Sequence, residues 1–469
     1  MSPRTWDAVV VGGGPAGSIA ALRLVQLGHR VCLVERSRFP RRALGESLTP
    51  GVIPMLESIG AARRCVAGAE RVHAVRTRWE HAHDAERRDP EGRGLLVDRG
   101  PFDAALLAHA REGGVDVLQP VSVERATERD GGWSLTLTTS DSGPRAIETR
   151  FLVDASGRRS RLGAKRRTTG PRTFAVHGYW RGRDLPTTPT LEACQRGWVW
   201  GVPIPDGTYN TLAFVDGADV RAERPGSLEA WLIERLRDAS LASQVERATL
   251  DAPARVVDAT PYLDEEPVSA TRLRVGDAAM ALDPLSSSGV QKAIQTALAG
   301  AIVVNTLLTR PEDSQLATRF YTDHLESASA RHQAWTAGHY AAAAPRFDSA
   351  FWRVRGAGTT EPNASMLVGG TGPAAPDDAT LTLSPLARWV EVPCLGERFV
   401  ELRRALEHPG IEGPTAFVGG IALDGLFDGL PPVFTAVALA DRWSTRVPRD
   451  RGLAIARWLS SRGVLTILA

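Results

Sequence analysis

Between Trp6 and Glu35 the chain runs through an apolar stretch at 8–11, a cluster of glycines, the helically spaced apolar residues of "AALRLVQLG", and a second apolar stretch, "RVCLVE". A short continuous apolar run bounded by turn residues fits a strand buried on both faces, and a switch to a period near 3.6 marks a helix. The pattern therefore predicts a strand–helix–strand unit with parallel strands. Alternation at 72–80 and 131–139 predicts strands of a β-rich insertion, and "PFDAALLAHAREGG" at 101–114 a helix stopped by glycine. "FLVDASG" at 151–157 reads as another buried parallel strand. A second β-rich stretch is predicted from Thr173 to Val215, then a helix near 227–238 and a buried strand in "RLRVGDAA". Helices follow at 290–308 and near 313–343. Beyond Ala344 the chain turns to glycine, proline and small polar residues, which places a linker at 344–376. Residues 377–469 read as an added unit with helices at 397–407 and 434–460 and a strand-like end, "GVLTILA".

A chain of 469 residues with 43% hydrophobic content exceeds one ordinary core. Its 56 basic and 54 acidic residues nearly cancel, so no net field favours nucleic acid or an anionic membrane surface. No apolar run reads as long enough for a membrane span and no charged leader opens the chain, so a cytoplasmic protein is expected. Cys32, Cys65, Cys194 and Cys394 are widely spaced and lack metal-ligand spacing with histidines; reduced thiols and no metal are expected. Lys165 and Lys292 are the only lysines.

Gly12, Gly14 and Gly17 form G-x-G-x-x-G between a predicted strand and helix. That spacing gives a tight turn, lets backbone approach a pyrophosphate, and directs helix amides at its charge. Glu35, ending the second strand, is placed to accept hydrogen bonds from an adenosine ribose. A dinucleotide is implied, and one such fingerprint is present.

"RVGDAAMALDPLSSSGVQKAIQTA" at 274–297 resembles the flavoprotein monooxygenase superfamily, in the branch shared by flavin-dependent halogenases and tryptophan-modifying flavoproteins. The resemblance implies FAD. Gly276 and Asp277 would end a strand beside the ribityl chain, and the turn carrying Pro284, Ser287 and Gly289 would lead into a helix facing the pyrimidine ring. "LGESLTPG" at 44–51 resembles the segment in which Gly45, Glu46 and Ser47 lie beside the isoalloxazine. "VDRGPFDAALLAHA" implies that Arg99 contacts FAD, and "VDASGRRSRL" that Asp154 and Gly157 shape the nucleotide pocket. The implied fold is α/β: an FAD-binding Rossmann-like (GR2-type) domain over 1–343, interleaved with a β-sheet substrate domain at about 72–98 and 173–260, and followed by the C-terminal unit.

"GWVWGVPIP" at 197–205 resembles the halogenase W-x-W-x-I-P signature, making Trp198 and Trp200 candidate catalytic residues with Glu46 and Ser47. The same tryptophans could simply fill a cavity wall. The resemblance also implies that a halogenase carries an active-site lysine between the G-E-S and R-x-x-F-D elements, yet residues 52–98 contain none. With "DPLSSSGVQKAIQTA" resembling the maturation flavoproteins of the quinohaemoprotein amine dehydrogenase type, this favours a monooxygenase that hydroxylates tryptophan within a peptide or protein during tryptophylquinone biogenesis. Dioxygen, a tryptophan-containing polypeptide docked on the C-terminal unit, and electrons from NAD(P)H or a separate flavin reductase are the partners expected. Glu46, His73, His177 and His339 are the candidate bases. Halogenation of a small or carrier-bound aromatic, reduction of an isoprenoid alkene, and a non-catalytic flavin-bearing peptide chaperone are the alternatives.

Overall fold

The computed structural model describes residues 5–81, 83, 85–139, 143–160, 162–219, 226–357 and 373–468. It divides into two compact units, Met1–Thr359 and Thr360–Ala469. In the first, β1 (Thr5–Val11), α1 (Pro15–Gln26) and β2 (Val31–Val34) form the predicted unit, with Ala8–Val11 parallel to Val31–Val34. The nearly continuous apolar runs follow from position: β1 lies between β2 and β6 (Arg145–Asp154), and Ala8, Val9 and Val10 are fully enclosed. After α2 (Arg99–Glu112), β3 (Asp116–Leu118) extends the sheet beyond β2. On the far side β4 (Ser122–Arg129) and β5 (Gly132–Thr138) add antiparallel strands. Residues 131–139 thus extend the nucleotide sheet; they are not part of an inserted substrate sheet. Strand Arg272–Arg274 pairs in parallel with the last residues of β6, bringing Gly276 and Asp277 to the carboxyl end of the sheet beside the glycine turn.

The second large sheet holds β7 (Thr173–Arg181), β8 (Thr190–Cys194), β9 (Gly197–Pro203) and β10 (Tyr209–Asp216) with Ala74–Arg78 and Ala85–Arg88, in the order β7-β10-β9-β8 and then the two earlier strands, while Thr249–Leu250 and Arg255–Asp258 pair with the other side of β7. Segments from both sides of β6 in sequence thereby share one sheet. Helix α3 (Leu228–Arg237) covers it through Trp231, Leu232 and Leu236.

α4 (Gly289–Thr309) packs on α1, and α5 (Ser314–Ala343) on α4. α4 is long and apolar enough to cross a membrane, contrary to the expectation that no such run exists, but most of it is buried in the unit's core. Its apolarity is that of a core helix. The expected linker is also corrected in part. Residues 350–356 form α6 (Ala350–Gly356), whose Phe351 and Trp352 are buried among Trp79, Trp198 and Tyr340. Residues 358–372 lie outside the described residues.

The C-terminal unit has its own core around Leu406, Leu426, Leu439, Trp443 and Leu459. Its 397–407 segment is not helical: β12 (Val400–Glu407) pairs with β11 (Arg388–Leu395) as a hairpin. The helical pattern of 434–460 resolves into α7 (Ala436–Trp443) and α8 (Arg449–Ser461), divided before Pro448. The strand-like end is Leu465–Ile467, paired with Leu381–Leu383.

Candidate active site

A cavity of about 740 Å³ opens at the carboxyl end of the nucleotide sheet and reaches the second sheet. The three fingerprint glycines do different work in it. A Cβ on Gly12 would lie 2.4 Å from the Ala155 carbonyl oxygen, and its φ of +110° is one that L side chains rarely adopt. A Cβ on Gly17 would lie 1.8 Å from the Gly12 oxygen, so this glycine lets helix and strand touch. Gly14 meets nothing nearer than the Arg41 guanidinium at 3.9 Å. It lines the cavity and leaves open the approach that a pyrophosphate needs. Gly14 is also the N-cap of α1 and supplies no capping side chain, leaving the helix's positive end available to an anion. Glu35 fixes the turn: its carboxylate accepts from the Gly13 amide at 2.6 Å and from the Ser37 amide at 2.7 Å.

A second helix start faces the same space. Ser287, in the left-handed region at φ 50°, turns the chain into α4, whose N-terminus also lacks a side-chain cap. Ser287, Pro284 and Gly289 line the cavity, and a Cβ on Gly289 would meet nothing within 4 Å. Two uncapped helix starts, an open glycine at each, and the Glu35 carboxylate fit the extended, doubly charged FAD.

Asp277 lines the cavity, whereas Gly276 lies just behind it, its amide bonded to the Thr296 hydroxyl at 2.9 Å. Burial alone would raise the Asp277 carboxyl. The Lys292 ammonium, which donates to it, and the Arg158 guanidinium at 3.7 Å outweigh burial and hold it below its ordinary value. Asp154 lies outside the cavity wall: it accepts from the Ser156 amide and hydroxyl and from Ser160, shaping the turn whose Ser156 and Gly157 do line it. Arg99 lines the cavity while held by a bidentate pair with Asp103 at 3.0 and 3.1 Å and by the Leu44 carbonyl. Gly45 lies against Arg99, where a Cβ would meet Nη1 at 2.8 Å.

Glu46 is buried and lines the cavity with Ser47. Its Oε1 accepts from the Tyr179 hydroxyl at 2.6 Å and from Asn210 at 3.0 Å; Oε2 accepts from the Gly45 amide at 2.8 Å. Burial raises this carboxyl above its ordinary value despite those bonds and the nearby Arg99. Of the four candidate bases it alone lines the cavity. His177 is buried with Nδ1 unpartnered, and burial and Arg255 push it down to about 4. His73 stands against Gly92, and His339 packs at a tilt against Trp335.

The two tryptophans divide. Trp200 lines the cavity with Leu212, Phe214 and Val257. Trp198 does not: it stacks behind Phe214 with ring centroids 3.8 Å apart and donates to the Tyr340 hydroxyl at 3.1 Å. Its expected catalytic place is corrected to one in the aromatic core. Tyr340 in turn donates to Asp283, a buried cavity carboxyl that burial raises above its ordinary value. Lys292 and Arg158 were given no role from the sequence although both stand in recognised motifs. Tyr179, Asn210 and Tyr340 arrive from distant segments and left no local signal.

Residues 5–179 match the FAD binding domain family and residues 93–367 the tryptophan halogenase family. The second match spans more than half of the chain, which belongs to the tryptophan halogenase family, flavin-dependent enzymes of oxidoreductase type. The chain is 33% identical over 349 residues to a tryptophan 2-halogenase of Chondromyces crocatus, covering 68% of this chain and 65% of the relative. It thus spans about two thirds of that relative's length, just short of it at 65%. The crystal structure of the flavin-dependent halogenase CmlS shares the fold with a TM-score of 0.79 at 23% identity, covering 99% of this chain and 96% of the other. QhpG, a peptidyl tryptophan dihydroxylase essential for tryptophylquinone cofactor biogenesis, superimposes with a TM-score of 0.74 at 25% identity, covering 98% and 100%. These findings overturn the expected tryptophan hydroxylation in quinone biogenesis. The dihydroxylase shares the architecture, but the matched family and the sequence relative are halogenases. The contrary expectation leaned on a missing lysine between 52 and 98 and on the resemblance of the 283–297 turn to the maturation flavoproteins.

Proposed function

We propose that the protein is a flavin-dependent halogenase of an electron-rich aromatic, either a small molecule or one borne on a carrier. The observation that carries this is a single cavity, in a chain of the tryptophan halogenase family, that joins an FAD-shaped cradle to an apolar wall beside the buried Glu46 carboxyl. When bound and reduced, FAD supplies the oxidising power, with dioxygen, that turns halide into an electrophile. The chain does the remainder. Gly14 and the starts of α1 and α4 receive the cofactor's anionic parts, and Glu35 fixes the turn. Trp200, Leu212, Phe214 and Val257 offer a flat apolar face that orients an aromatic ring and excludes water. Glu46 stands on the cavity wall with both oxygens held by hydrogen bonds, its carboxyl raised above its ordinary value by burial. That carboxyl exchanges a proton at the reacting end of the cavity.

No lysine between 52 and 98 is available to hold the halogenating agent, so orientation falls to the cavity wall and Glu46. The test is halide dependence. With FAD, a reducing system, dioxygen and free tryptophan or simple indoles, and with the same acceptors offered on a carrier, product should appear only with chloride or bromide present. Oxygenated product formed equally well without halide contradicts the proposal.

A further inference from the structure

Lys292 is a charged residue that neither the fold nor the proposed chemistry accounts for. It lies in the first turn of α4 and lines the cavity, yet its side chain is 3% exposed. Its ammonium donates to Oδ1 of Asp277 and to the Met280 carbonyl, the latter at 2.6 Å. Arg158 stands 3.7 Å from the other oxygen of Asp277 and lines the same cavity. One carboxylate is therefore held between two cations. A simple ion pair would need only one partner, and of the three groups only Lys292 is buried, at 3% exposed against 27% for Arg158 and 40% for Asp277, so its ammonium is the one whose desolvation needs a reason.

We propose that Lys292 is a positioning and charge-setting residue for the cofactor: it pins Asp277 and adds positive charge to the α4 start, favouring reduced over oxidised FAD. This rests on the FAD reading of the cavity. Two electrons and one proton convert oxidised flavin to its reduced anion, which gains a negative charge that the oxidised form lacks. A buried cation stabilises that charge more than it stabilises the neutral ring, and the positive end of α4 acts in the same direction. Asp277 held below its ordinary value agrees with the arrangement.

The experiment is reductive titration of the FAD-loaded protein with dithionite against a reference dye, for wild type, Lys292→Met and Lys292→Arg. Lys292→Met should weaken the preference for reduced over oxidised FAD at least tenfold, a fall in midpoint potential of about 30 mV for a two-electron couple. Lys292→Arg, which keeps the charge, should stay near wild type. If Lys292→Met retains FAD with an unchanged potential, the residue is merely structural and the proposal is overturned. Should Lys292→Met fail to fold, Asp277→Asn decides: removing the negative charge must raise the potential, and no rise overturns the proposal. A wild-type protein that binds no FAD refutes the reading of the cavity itself, an outcome distinct from an unchanged potential in a yellow protein.

Discussion

Tyr179 donates a hydrogen bond of 2.6 Å to Oε1 of Glu46, tying strand β7 of the second sheet to the segment that lines the nucleotide cavity. Tyr179 and Glu46 are 133 residues apart, and Asn210, from the neighbouring strand β10, binds the same oxygen. The bond makes the carboxyl a shared part of both layers, and burial raises it above its ordinary value.

A pH dependence follows from that burial. The folded-state value of Glu46 is raised, so its contribution to stability is full below the ordinary carboxylate value and is lost as pH rises through the folded value. Glu46→Gln cannot ionise. The stability of wild type minus that of the variant should therefore fall as pH rises above the ordinary carboxylate range, by roughly 1.4 kcal/mol for each pH unit by which the value is raised. Urea midpoints over that rise in pH measure it, and a pH-independent difference contradicts the assignment.

The glycines should separate by mechanism. Gly14→Val places its side chain in open cavity, so the protein should fold with near-normal stability and lose FAD. Gly17→Val drives a Cβ into the Gly12 carbonyl and should destabilise the fold by about 1–3 kcal/mol or more. Flavin absorbance with thermal melting distinguishes the two, and tight FAD retention by Gly14→Val refutes the placement.

The tryptophans should separate likewise. Trp198→Ala removes a core ring stacked on Phe214 and should cost about 3–5 kcal/mol. Trp200→Ala, on the cavity wall, should cost less stability and raise KM for the aromatic substrate more than it lowers FAD affinity. Equal losses of stability with no change in KM would place Trp200 in the core as well.

The C-terminal unit carries its own buried core, including Leu439, Trp443 and Leu459. Residues 373–469 expressed alone should unfold cooperatively in denaturant. A featureless, non-cooperative response contradicts an autonomous unit.

Much of the nucleotide half was legible because its signals are local. A glycine turn between an apolar strand and a helix states its geometry within 30 or so residues, about the span of one βαβ unit. The segment 397–407 misled for the opposite reason. Its Leu, Arg, Glu and Ala favour helix, but pairing with Arg388–Leu395 makes it a strand, as tertiary context overrides propensity. Trp198 and Trp200 show a related limit. Alternation places both on one face, but only the cross-strand partners reveal that one lies behind Phe214 and the other on the cavity wall. The links of Glu46 to Tyr179 and of Asp283 to Tyr340 join distant segments and become visible only in the fold.

The most direct measurement is mass spectrometry of products formed from free and carrier-borne indole acceptors by the FAD-loaded protein under a reducing system and dioxygen, with bromide present and with all halide removed. The account predicts product bearing the paired isotope pattern of bromine, lost when bromide is withheld. Oxygen-containing product without bromine, formed at the same rate in both reactions, would contradict it.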